Sequence, residues 1–151
     1  MKLFSKVKLM LAALVLACFF VGCSDSSNSS SSYNMHYFIT EYGIYSAMIR
    51  TPDNSDVAIL ATSEHDSDTM ALYEGNYVTL TKTTDGDTYT FEGTKNGTSF
   101  KVVGKLETVS NGVTTDSFTI QSASDAMKDL GFTVGKSIQH WSEKTKGTFI
   151  Y

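Results

Sequence analysis

Three short turn signals, Asp85-Gly86, Asn96-Gly97 and Asn111-Gly112, punctuate the second half of the chain at near-regular intervals. Asp-Gly and Asn-Gly tolerate the positive φ angles of two-residue hairpin turns, and between apolar runs they are the strongest short-range hairpin signal. The runs between them alternate. Tyr89 and Phe91 share one face with Thr88, Thr90 and Glu92 opposite. Phe100, Val102 and Leu106 oppose Lys101, Lys105 and Glu107, and Phe118 and Ile120 sit between Ser117, Thr119 and Gln121. A period of two means strands with one wet and one buried face. The pattern predicts an antiparallel meander of Tyr77–Thr84, Thr88–Thr94, Thr98–Thr108 and Val113–Gln121, with Gly93 and Gly104 marking bulges or sharp coiling.

Upstream, His36–Thr40, Gly43–Arg50, Val57–Thr62 and Thr69–Glu74 are shorter candidate strands. Downstream, Ser122 and Asp125 form a capping-box-like helix start. Ala123, Ala126, Met127 and Leu130 then make one apolar helical face, and Gly131 is the natural stop. Ser137–Trp141 and Gly147–Tyr151 read as closing strands. About eight short strands, one helix and a single proline predict a mainly β fold, a small antiparallel meander barrel or curled sandwich. Closure removes sticky edges, and the helix plugs or flanks one end.

Five aromatics, Tyr33, Tyr37, Phe38, Tyr42 and Tyr45, fall within thirteen residues, interleaved with Met35, Ile39, Ile44 and Met48. A half-exposed strand buries only alternate positions, so this segment is either central and covered on both faces or offers aromatics to a ligand. Tyr37, Phe38, Tyr42, Tyr45 and Trp141 are the candidate binding residues, because large rings with a polar end serve as anchors. His140 reads as a strand residue beside a core anchor, Trp141.

Charge is lopsided. From Asp25 to Glu92 there are 11 acids against Arg50 and Lys82, a balance of −9, while Lys95 to Tyr151 holds seven lysines against five acids, a balance of +2. Nucleic acid is repelled by the first part, and no basic stripe with aromatics appears in the second. A cationic protein partner is the easier electrostatic match, although acidity also serves plain solubility.

Local motifs for catalysis are missing. His36, His65 and His140 have no fixed ligand spacing, and there is no G-x-S-x-G elbow. Gly131–Ser137 is one residue short of a phosphate-binding loop and follows a helix instead of a strand. Asp53 to Glu64 has EF-hand length, but Val57–Leu60 stand where oxygen ligands belong. In Glu64-His65-Asp66-Ser67-Asp68, the carboxylates of Glu64, Asp66 and Asp68 can hold Ca²⁺ weakly; the same residues are ordinary turn formers. No catalytic residue is assigned and no cofactor is expected.

The N-terminus has a different composition. Lys2, Lys6 and Lys8 precede an apolar run of about 14 residues from Leu9 to Gly22, short of the roughly 20 that span a bilayer. This is the pattern of a cleavable signal peptide. Phe20-Val21-Gly22-Cys23 resembles the lipobox of bacterial lipoproteins; Val15-Leu16-Ala17-Cys18 is a competing match that leaves Phe19 and Phe20 in the mature linker. The resemblance implies a covalent lipid on Cys23 and a membrane contact through acyl chains, two of which hold a protein durably. The organisation expected is a signal peptide at 1–22, a lipid-attached Ser-rich linker at 23–33 that buries nothing, and one β-rich domain at 34–151. With Cys18 removed and Cys23 acylated, no thiol remains for a disulfide. Ser24 resembles the sorting signal for the outer membrane, facing the periplasm, in a Gram-negative host.

Three functional classes follow. The first is a non-catalytic envelope lipoprotein whose acidic β-domain binds a macromolecule, in an inhibitor, immunity or exclusion role. The second is a carrier of a small apolar ligand, resembling lipocalins at the level of fold alone. The third is an envelope hydrolase.

Overall fold

The computed structural model describes residues 32–64, 77–107 and 116–149. Eight antiparallel strands close into a barrel in simple sequential order. They are β1 (Ser32–Tyr42), β2 (Tyr45–Pro52), β3 (Val57–Glu64), β4 (Val78–Asp85), β5 (Thr88–Lys95), β6 (Thr98–Glu107), β7 (Ser117–Ala123) and β8 (Ser137–Lys146), with helix α1 (Asp125–Asp129) between the last two. Pairing of β1 with β8, from Ser32 opposite Lys146 to Ile39 opposite Gln139, seals the sheet. The meander is thus a closed barrel and not a sandwich, and among the described residues it leaves no open sheet edge to template another chain.

The turns show why the chain folds back where it does. Asn96 and Gly97 both have positive φ and link Lys95 to Thr98 as a paired terminus. In the β4–β5 hairpin Asp85 pairs with Thr88, so the loop is Gly86-Asp87, one residue later than the Asp-Gly signal suggests. Gly86 alone takes the positive φ, as a Gly-first turn requires. Gly43, expected in a strand, occupies the same role with Ile44 between Tyr42 and Tyr45. The expected strand at 69–74 and the Asn111-Gly112 turn lie outside the described residues.

Alternation fills the barrel. Phe38, Ala47, Ile49, Leu60, Leu80, Phe91, Val102, Phe118 and Ile120 point inward and are buried. Phe38 is central, with ring centroids 4.7 Å from Phe118 and 5.2 Å from Phe91 in edge-on arrangements, the geometry aromatic quadrupoles prefer. The neighbouring positions of β1 face outward, yet Tyr33, Met35, Tyr37 and Ile39 are also buried, in a second cluster with Met48 against Trp141 and Phe149. The aromatic N-terminal strand is therefore apolar on both faces because both are covered.

One end is plugged. Met127 of α1 and Phe132 just beyond it are fully buried in the interior core, and Gly131 ends the helix at φ 88°. The helix start differs from the capping-box expectation. Ser124 is the N-cap and makes no side-chain cap bond; its Oγ instead donates to Ser99 O and accepts from Lys101 N, both at 3.1 Å, tying the helix entry to β6. Asp125 pairs with Lys128 at 2.9 Å. Two further expectations are corrected. Ser137–Trp141 is half of one strand that continues to Lys146, and Gly147–Phe149 are not strand, since Gly147 leaves the sheet at φ 115°. β1 begins at Ser32, inside the stretch assigned to the linker.

The two interior glycines act differently. The β6–β7 register shifts between Val103 and Gly104, a bulge, and a Cβ on Gly104 would fall into the Phe118 ring. At Gly93 the register with β6 is unbroken, and the small residue lets Leu80 and the Thr79 carbonyl approach. Gly104→Ala is expected to lower stability by about 1–3 kcal/mol through overpacking; an unchanged urea midpoint would refute the close approach.

Candidate functional site

The end opposite α1 is the mouth. There the β2–β3 loop, the β4–β5 turn and the first residues of β1 and β7 meet. A cavity of about 220 Å³ opens here, lined by His36, Asp53, Ser55, Asp56, Lys82 and Tyr89 among others. Its inner wall borders the aromatic core: Tyr89 lies 5.6 Å from Phe38 between ring centroids, and Phe38, Phe91 and Phe118 are fully buried beyond it.

The rim is built by hydrogen bonds. Asn34 donates from its backbone N to Asp53 Oδ1 at 3.2 Å and from Nδ2 to Asp53 Oδ2 at 2.8 Å, while Asp53 N donates to Asn34 O at 2.9 Å. Thr51 Oγ1 donates to Val57 O at 2.9 Å and closes the loop. Lys82 follows Val78 and Leu80 on the inward face and is only 7 % exposed. Its Nζ reaches Pro52 O at 2.6 Å and, more loosely, Asp53 O at 3.5 Å. Burial holds this ammonium below its ordinary pKa, against the opposing pull of Asp56 and Asp53.

Beneath the rim runs a polar chain centred on one buried ring. His36 Nδ1 and His140 Nε2 are 3.0 Å apart, and His140 Nδ1 is 3.5 Å from Asp116 Oδ2. The latter contact is longer than a hydrogen bond and leaves His140 Nδ1 without a hydrogen-bond partner; the other carboxylate oxygen, Asp116 Oδ1, likewise has none. His140 is 5 % exposed and packs on Phe38 at 4.7 Å. Burial first, then the neighbouring His36, lowers its pKa to about 4 despite Asp116; burial likewise lowers that of His36, with Asp53 and Asp116 opposing and Lys82 assisting. Both imidazoles are neutral at pH 7.

The residues singled out from sequence are dispersed. Phe38 is core. Tyr37 is buried on the outer face, stacked on Trp141 at 5.0 Å and donating its hydroxyl to Glu143 Oε1 at 2.9 Å; burial and that bond push its pKa far upward. Trp141 is half-buried on this outer face rather than in the barrel core. Tyr42 stacks on Tyr45 at 5.5 Å at the plugged end. Glu64 ends β3, while Asp66, Asp68 and Cys23 lie outside the described residues. Among the described residues no three His, Asp or Glu side chains are grouped to hold a metal.

Sequence reasoning missed His36, Lys82 and Asp116. A signal existed for two of them: His36 shares the inward face of Phe38, and Lys82 that of Leu80. Nothing local places Asp116. Comparison with protein families, with curated proteins and with solved structures returns no match to this chain.

Proposed function

We propose that this chain is a lipid-anchored envelope lipoprotein whose acidic barrel mouth binds a cationic macromolecular partner, without catalysis of its own. One observation carries the reading: Asp53 and Asp56 on the β2–β3 loop, Asp85 and Asp87 beside Gly86, all exposed, and Asp116 at the start of β7 stand at the same end of the barrel. Such a focused negative field favours a basic surface and steers its approach. Lys82 is the opposing charge at this end, with its Nζ directed to Pro52 O, and it stands against five carboxylates.

The apolar-carrier reading finds less support. Its cavity would exceed about 300 Å³ and be mostly apolar, whereas the cavity at this mouth is about 220 Å³ and lined largely by polar groups, and Phe38, Phe91 and Phe118 pack together inside the barrel. The hydrolase reading gains the convergence of His36, His140 and Asp116, but Ser55 Oγ, the serine on the cavity wall, accepts from Val57 N at 3.1 Å and belongs to the loop.

Two experiments test the proposal. Asp56→Asn with Asp87→Asn is expected to weaken binding of an immobilised lysine-rich peptide about tenfold, equivalent to ~1.4 kcal/mol, with a steep salt dependence in the parent protein. Equal affinity of parent and variant defeats the acidic-mouth reading. Cys23→Ser is expected to release the protein from membranes or leave its leader attached; unchanged fractionation and mass defeat the anchor.

A further inference from the structure

The polar chain under the mouth has a direction. Of the two ring nitrogens of His140, Nδ1 is the one that faces Asp116, 3.5 Å from Oδ2; at this distance, beyond a hydrogen bond, the carboxylate acts through its field, which favours the His140 proton on Nδ1. A neutral imidazole has one proton, and His140 Nε2 is then a bare acceptor. The 3.0 Å contact with His36 Nδ1 therefore requires the proton on His36 Nδ1, which leaves Nε2 of His36 as its unprotonated ring nitrogen. His36 lines the cavity. A partly exposed carboxylate thus biases, through one intervening buried ring, the hydrogen-bonding sense of a group on the cavity wall, the kind of control that outer partners exert on ligating histidines.

The rest of the cavity has the same polarity. Asp53 and Asp56 add carboxylate oxygens, Tyr89 adds a half-buried ring face on which a cation can rest, and the one cation, Lys82, has its Nζ turned to Pro52 O. About 220 Å³ has room for a single side chain but not for a drug-sized ligand.

We propose that the mouth cavity seats one cationic nitrogen group, an alkylammonium or guanidinium, which donates to Nε2 of His36 and is flanked by Asp56 and Tyr89. This rests on the acidic-mouth reading and goes further, in assigning the group that enters and the atom that receives it. Asp116 and His140 are positioning residues, touching no ligand. Acid empties the seat, because a proton on the His36–His140 pair turns its acceptor into a donor and adds positive charge; Asp53, Asp116, Lys82 and Tyr89 are the other titratable groups around it.

The test uses the full-length protein in detergent with ¹⁵N-labelled histidine. At about pH 7 His36 is expected as the Nδ1–H tautomer. Butylammonium, and a blocked peptide carrying one lysine, are both expected to shift its Nε2 resonance, while the norleucine peptide does not; a shift by the lysine peptide alone assigns the seat to protein-borne cations. His36→Leu is expected to weaken binding at least about tenfold, His36→Gln, which keeps an acceptor, to restore part of it, and Asp116→Asn to weaken it together with a change in the His36 tautomer signature. An Nε2–H tautomer in the parent protein overturns the proposal. So does a cation that moves loop resonances but not His36, in which case the acidic mouth still stands; cations that bind nowhere remove both.

Discussion

Phe38→Ala is expected to cost about 3–5 kcal/mol of folding stability, the range for emptying a fully buried aromatic site. Phe38 has no solvent exposure, and its ring meets Tyr89, Phe91, Phe118 and His140 within 5.6 Å between centroids. A closed barrel cannot collapse around the hole, because each strand is held at both edges, so the cavity term is kept in full. Such a loss is a large part of the roughly 5–15 kcal/mol that holds a domain together. Urea denaturation checks it: the midpoint falls with little change in slope. Ile44→Thr, at a turn position 62 % exposed, should stay within about 0.5 kcal/mol. Equal effects at the two positions would mean that Phe38 is not the hub of the core.

Acidification is expected to destabilise the barrel on the order of 3 kcal/mol through His140 alone. In the folded chain His140 takes up its proton only near pH 4, whereas unfolded it does so near pH 6.5. Between those values the unfolded chain holds more protons, so stability rises with pH across this window. It is complete above about pH 6.5 and is lost as pH falls toward 4. The size follows from about 1.4 kcal/mol for each pH unit separating the two values. His36, also lowered, acts in the same direction. Urea midpoints measured across the window are the check, and His140→Phe should flatten the profile whatever its own stability. A parent profile already flat between pH 7 and 4 would show that the histidine is not buried as a neutral group.

Much of the architecture was readable residue by residue. Alternation in Tyr89–Phe91, Phe100–Val102 and Phe118–Ile120 and the Asn96-Gly97 turn are local properties, and they led to a meander that closes. The failures were local as well: Gly43 passed as a strand residue, and the β4–β5 turn slipped by one, because Asp85 can equally end a strand or enter a turn. The capping signal at Ser122 misled since Ser124 serves β6 instead of the helix. At the mouth, His36 and Lys82 carried the parity of the core face and were legible as inward; their purpose was not.

The chain alone determined the class of fold, because strand period and turn chemistry act over a few positions and need no partner. Which of the two apolar faces of β1 turns inward depended on the register of closure with β8. So did the meeting of His36 with His140, 104 residues apart, and of His140 with Asp116. Such meetings are products of shear and burial across the whole barrel, where side chains distant in sequence are brought close enough to shift one another's pKa.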